Sequence, residues 1–167
     1  MIDIVIAGEE TGDAESIAAL YERAFGPGRF ARTAYRVRES HRFQYDLSRV
    51  ARLNSDGTIK GTLRFTAISI GDKSGALLLG PLAVDPASVG TGIGRAMVKD
   101  GLSRACSKNY GLVVLVGDLD YYQQLGFQRT RPGQLIFPGP VDPMRILVHE
   151  CRQGVLENYS GHVTAVR

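Results

Sequence analysis

The chain has 167 residues, 44% hydrophobic, 22% charged and 8% aromatic, a composition that fits one folded domain and excludes a mainly disordered or low-complexity protein. Twenty Lys and Arg against seventeen Asp and Glu leave a net charge of +3, which favours an anionic ligand without demanding nucleic acid. No run approaches the roughly 18 apolar residues of a membrane span, and Met1 to Glu10 lacks the basic start and apolar stretch of a secretory signal, so the chain reads as cytoplasmic with no membrane partner.

Ile2, Ile4 and Ile6 alternate with Asp3, Val5 and Ala7, which predicts a first strand over Met1 to Ala7. A helix follows: Thr11 or Asp13 can cap it, Glu15 suits its positive first turn, and Ile17, Leu20, Tyr21 and Ala24 recur at helical spacing before Gly26-Pro27-Gly28 stops it. An amphipathic helix is expected around Thr33 to Ser40. The surrounding stretch is crowded with Arg23, Arg29, Arg32, Arg36, Arg38 and Arg42, interleaved with Phe25, Phe30, Tyr35 and Phe43.

Residues 48–53 and 58–70 read as two strands joined by Asn54-Ser55-Asp56-Gly57, which suits a tight hairpin loop. The turn Gly71 to Gly75 leads into a third strand, Ala76 to Val84, so the middle of the chain is an antiparallel meander. Gly80-Pro81 interrupts that strand. Proline cannot donate to a ladder, so a bulge or local opening is expected there.

From Gly92 to Lys108, Ile93, Ala96, Met97, Gly101 and Ala105 share one helical face, with Val98 and Leu102 beside it. Leu112 to Val116 is an unbroken apolar run suited to a strand buried on both faces. Asp118 can cap a short helix through Leu125, ended by Gly126. Phe127 to Arg129 and Met144 to Glu150 complete the strands, with 132–143 as a loop between them and 151–167 left uninterpreted. Cys106 and Cys151 show no CxxC or Cys/His spacing, and His41, His149 and His162 are scattered, so two buried inert thiols and no metal are expected.

Gly90, Gly92 and Gly94 stand immediately before and inside the first turn of the strongest helix. Each costs roughly 0.5–1 kcal/mol in a helix relative to Ala. The physical return is access to the unpaired N–H groups and positive dipole end of that turn, a cradle for phosphate oxygens. A Walker loop would need Lys and Ser or Thr after the last glycine, where Arg95 and Ala96 stand. A dinucleotide fingerprint would need a parallel strand directly before Gly90.

The run "LGPLAVDPASVGTGIGRAMV" and the later "VVLVGDLDYYQQLGF" resemble the acetyl-CoA-binding core of the GNAT superfamily of acetyl-CoA-dependent N-acetyltransferases. The first is similar to the Arg/Gln-x-x-Gly-x-Gly/Ala pyrophosphate loop, aligned on Val89, Gly92 and Gly94. The second is similar to the motif with an aromatic-Tyr pair before Gly-Phe, here Tyr121-Tyr122 and Gly126-Phe127. More weakly, "AFGPGRFARTAYRVRE" and "GPLAVDP" resemble a YhbS-like subgroup. Val89 departs from the usual Arg or Gln, and Leu115 and Asp118 stand where Asn and Ala are often found.

The resemblance implies an α/β (α+β) GNAT-like fold over residues 1–167, with a core over 1–150. Its mixed, mostly antiparallel sheet would have about six or seven strands, splayed at the acyl-CoA site, and about four helices. It implies that main-chain groups of Leu82, Ala83 and Val84 hold the pantetheine arm of acetyl-CoA. Val89, Gly90, Thr91, Gly92, Ile93, Gly94 and Arg95 would hold the pyrophosphate. Tyr122, with the usual tyrosine pKa of about 10, would be the proton donor to the departing thiolate.

The expected reaction is transfer of the acetyl group to a primary amine by direct attack. Glu22, Glu39, His41, Asp118 and Asp120 are ionisable candidates for the general base, and none is assigned. The acceptor is a small-molecule or peptide amine; an acyl carrier protein is a further partner for the Arg-rich stretch, and a homodimer accords with similar proteins. A non-catalytic acyl-CoA-binding module or sensor is the alternative. A nucleic-acid binder would rest on the arginines alone.

Overall fold

The computed structural model describes residues 3–26, 37 and 43–166. Strand β1 (Ile4–Gly8) is followed by a 3-10 turn (Thr11–Asp13) and helix α1 (Ala14–Phe25). Next come β2 (Arg49–Leu53), β3 (Ile59–Ile70) and β4 (Lys73–Val84). A 3-10 turn (Pro86–Ser88) precedes helix α2 (Ile93–Ser107), β5 (Leu112–Val116) and the short helix α3 (Leu119–Tyr122). Strands β6 (Gln128–Arg129), β7 (Leu135–Ile136), β8 (Ile146–Glu150) and β9 (Gly161–Ala165) finish the chain. Thr33 to Ser40, where a second helix is expected, lies outside the described residues apart from Val37, which is buried.

The main path of the sheet runs β1-β2-β3-β4-β5-β8-β6. Among the described residues the one parallel pair on this path is β4 and β5, joined from Ala76 opposite Leu112 to Leu78 opposite Val114. Beyond that pair β4 continues to Val84 and β5 to Val116 without pairing with each other, so the sheet opens into a V. On its other edge β4 stays on β3, with Leu63 opposite Leu82 and Phe65 opposite Leu79. One more residue on β4 than on β3 between those pairs makes the bulge expected at Gly80-Pro81.

The uninterpreted tail is part of the sheet. Residues 59–63 of β3 pair with β2, and its far half, Ile68 to Ile70, pairs with β9. A twelve-residue strand outruns its five-residue neighbour, and β9 satisfies the ladder groups β2 leaves bare. No local signal marks Gly161–Ala165 as a strand, because its partner lies far away in sequence. β7, in the expected loop, pairs with β9 as well.

Period two sorts the side chains of the sheet. Leu63, Phe65, Leu77, Leu79, Val113, Leu115 and Leu147 face α2, packing on Ile93, Met97, Val98, Leu102 and Ala105. Gly101 permits close approach: a Cβ there would stand 2.8 Å from Phe65 Cζ. Ile17 and Leu20 of α1 bury against Val50, Ile59 and Ala83 on the opposite face, worth about 1.5–3 kcal/mol per side chain.

Three local expectations change. Thr11 and Asp13 lie in the 3-10 turn; Asp13 stands at the N-cap position of α1 as expected, but its side chain makes no cap bond there and instead accepts from the Glu10 N–H at 2.7 Å while pairing with Arg52. The β3–β4 turn is two residues, Gly71 and Asp72, because pairing continues to Ile70 opposite Lys73. Asp118 precedes α3 without capping it by its side chain, which accepts from Arg145 Nε at 3.2 Å.

Candidate functional site

At the mouth of the V, β4 gives way to α2 through a braced loop. Asp85 accepts from the Ala87 N–H at 3.0 Å and meets Arg23 of α1 at 3.3 Å and Lys60 of β3 at 3.9 Å. The Ala87 hydrogen bond, with the Lys60 and Arg23 charges, holds its carboxyl below the usual aspartate range, against the opposing effect of burial. Buried Ser88 accepts at its carbonyl from Thr91 Oγ1 at 2.5 Å. Gly90 and Gly92 then adopt φ of +85° and +89°, where a side chain is strained, although a Cβ would meet nothing within 4 Å at either.

Ala96 is the first residue of α2 whose N–H reaches a helical carbonyl, Gly92 O at 3.0 Å. The N–H groups of the turn before it have no intrahelical acceptor, and no acidic residue stands in that turn. Arg95 is exposed beside it. A cleft of about 360 Å³ opens there, lined by Val84, Ser88, Val89, Gly94, Arg95 and Tyr121 among others. Donors without acceptors, a positive dipole end and a neighbouring guanidinium suit an anion. Val89 points no donor at it and is 71% exposed.

Leu82, Ala83 and Val84 lie on the stretch of β4 that β5 leaves unpaired, so that edge is available to an extended ligand with amides of its own. Glycine reasoning from sequence treated all three loop glycines alike. Gly94 differs: its Cβ would stand 2.6 Å from Tyr121 Oη, so its absence seats the tyrosine.

Tyr122 packs edge-on to Phe127 at 5.6 Å and to Tyr121 at 4.8 Å. Burial, helped by the nearby Tyr121 and Asp118, pushes its hydroxyl up to about 12. Tyr121, expected only to pack beside its neighbour, lines the cleft with Arg95 5.9 Å from its ring centroid. Ser88 is a second lining residue that sequence reasoning missed; a lone serine after Pro-Ala carries no pattern. Of the ionisable candidates for a base, Glu39 and His41 lie outside the described residues, and Asp118 is bound to Arg145. The arginines between 29 and 42 also lie outside them.

Sequence reasoning also missed a partly buried ion pair on the α1 face. Arg64 of β3 donates to Glu9 at 2.6 and 3.1 Å, Ser48 Oγ donates to the same carboxylate, and Phe43 stacks 3.9 Å from the guanidinium. Burial alone would make Arg64 easier to deprotonate, but the bonded Glu9 reverses that.

The two cysteines are not free thiols: Cys106 and Cys151 form a disulfide. The α2 C-terminus and the end of β8 meet there, a juxtaposition invisible at a separation of 45 positions.

No protein-family model matches the chain. Among curated proteins it is similar to the N-acetyltransferase YhbS of Escherichia coli K12, 27% identical over 152 residues, covering 90% of this chain and 89% of that one. The crystal structure of E. coli YhbS in complex with CoA superposes with a TM-score of 0.83 at 26% identity, covering 99% of this chain and 91% of that one. A GNAT family acetyltransferase from Brucella melitensis, in complex with acetyl-CoA, gives 0.65 at 28% identity over 90% of this chain and 97% of that one.

The splayed sheet, the glycine cradle and these likenesses define an acyltransferase. In sequence and fold the chain resembles the N-acetyltransferases of the GNAT superfamily.

Proposed function

We propose that the chain transfers an acetyl group from acetyl-CoA to a primary amine by direct attack in a ternary complex. The observation that carries this reading is the cradle at the α2 N-terminus beside the open edge of β4, in a fold whose E. coli and Brucella relatives were crystallised with CoA and acetyl-CoA. First-turn N–H groups of α2 and Arg95 receive the pyrophosphate. Main-chain groups of Leu82 and Val84 pair with the pantetheine amides, and an N–H near Ala83 or Val84 polarises the thioester carbonyl.

Acyl transfer moves one proton from the attacking nitrogen to the departing sulfur. A thiol has a pKa near 8.5, whereas the Tyr122 hydroxyl is pushed up to about 12, so complete transfer from tyrosine to thiolate runs uphill. Tyr122 therefore acts by donating a hydrogen bond to the sulfur as charge develops there, keeping its own proton, while the proton of the attacking nitrogen leaves to solvent and the departing thiolate takes one from solvent. No base is assigned.

Calorimetric titration with acetyl-CoA beside NAD and ATP, followed by thiol release across amines, tests the reading. Binding of acetyl-CoA alone, with release for at least one amine class, is expected. Binding without turnover in any class would favour the sensor, and preference for NAD would overturn the site.

A further inference from the structure

Strand β8 ends in His149 and Glu150 with Cys151 directly after it, and the alternation puts His149 and Cys151 on the side of Leu147, toward α2. Phe127, from the α2-side cluster, lies 5.7 Å from the His149 ring. The last turn of α2 brings Cys106 to the same place, so one ring nitrogen of His149 and both sulfurs lie within 4.8 Å of one another. All three residues are partly exposed. A covalent staple needs only the two sulfurs. The imidazole adds a third donor.

We propose that Cys106, Cys151 and His149, with the disulfide reduced, bind a Zn2+-class cation. His149 Nδ1 lies 3.2 Å from the Gly126 carbonyl oxygen, which only accepts; Nδ1 therefore carries the proton and Nε2 the lone pair, the outer-shell device that orients metal-binding imidazoles. Cys106 sits in the last turn of α2, at the negative end of its dipole, where two bare thiolates are disfavoured and a cation is favoured. Two thiolates and an imidazole are a borderline-soft set, suited to Zn2+ over Mg2+ or Ca2+, with water completing a tetrahedron.

The chemistry balances with a dithiol reductant. Its two thiols supply two electrons and two protons to the Cys106–Cys151 bond and become a disulfide themselves. On metal binding both protein thiols release their protons to solvent as two sulfur–metal bonds form.

The full chain, reduced with a dithiol and then freed of it, is titrated with Co2+ as a spectroscopic probe. One equivalent should produce thiolate-to-cobalt charge-transfer absorption and the visible bands of tetrahedral cobalt, and Zn2+ should bleach both. Cys106→Ser and Cys151→Ser should each lose part of the charge-transfer band. His149→Gln should keep it while weakening binding about tenfold or more. The disulfide form should give no such band.

Absence of charge-transfer absorption in the reduced wild-type chain, with its circular dichroism intact, overturns the proposal. So does Co2+ affinity unchanged by replacing both cysteines, or by His149→Gln. The wild-type titration stays decisive should any variant fail to fold.

Discussion

Tyr121 Oη occupies the space a Cβ on Gly94 would need, at 2.6 Å, so the glycine of the helix turn and the tyrosine across the cleft form one interlocked unit. Gly94→Ala should displace the tyrosine and weaken acetyl-CoA binding about tenfold, in line with overpacking costs of about 1–3 kcal/mol. The next tyrosine atom, Cζ, would stand 3.9 Å from that Cβ, an ordinary contact. Tyr121→Phe in the Gly94→Ala background should therefore restore most of the loss in calorimetry, whereas a double variant as weak as the single one would refute the steric account.

Tyr122→Phe should lower turnover by roughly 10²-fold in a thiol-release assay and leave acetyl-CoA affinity nearly unchanged. The folded-state hydroxyl is raised to about 12 from an ordinary value of 10.0, so its contribution to stability is complete below pH 10 and lost as pH rises toward 12. Tyrosinate absorbance should accordingly differ between wild type and variant chiefly at the top of the alkaline titration.

Val89→Arg sets a guanidinium at the rim of the cradle from a position that is 71% exposed. Acetyl-CoA should bind about three- to tenfold tighter at low salt, with the gain shrinking as ionic strength rises. A gain independent of salt would argue against a pyrophosphate contact.

Asp85 is depressed by the Ala87 N–H and by Lys60 and Arg23, so its contribution is present above the ordinary aspartate pKa and fades as pH falls through its lowered one. Asp85→Asn should loosen acetyl-CoA binding at neutral pH and flatten the acid limb of stability, measured by thermal melts across pH 3 to 6. An acid limb identical to wild type would remove Asp85 as its source.

Ending the chain after Ser160 removes β9 and bares Ile68 to Ile70 of β3. The melting temperature should fall by more than about 4 °C, with increased self-association through the exposed edge, read by light scattering during the melt.

Much of this protein was written in local sequence. Alternation marked the meander, Gly80-Pro81 marked the bulge in β4, and the glycines before Arg95 marked the loop that opens α2, because turn chemistry, strand periodicity and helix ends depend on residues a few positions apart. What lay beyond that range was decided only when the chain closed on itself. β9 is a strand because β3 outruns β2, Gly94 is required by Tyr121, Glu9 is buried because Arg64 meets it, and Cys106 finds Cys151 and His149 because α2 and β8 end at one corner. Each of these pairings joins groups far apart in sequence, and only tertiary packing brings such partners within contact distance.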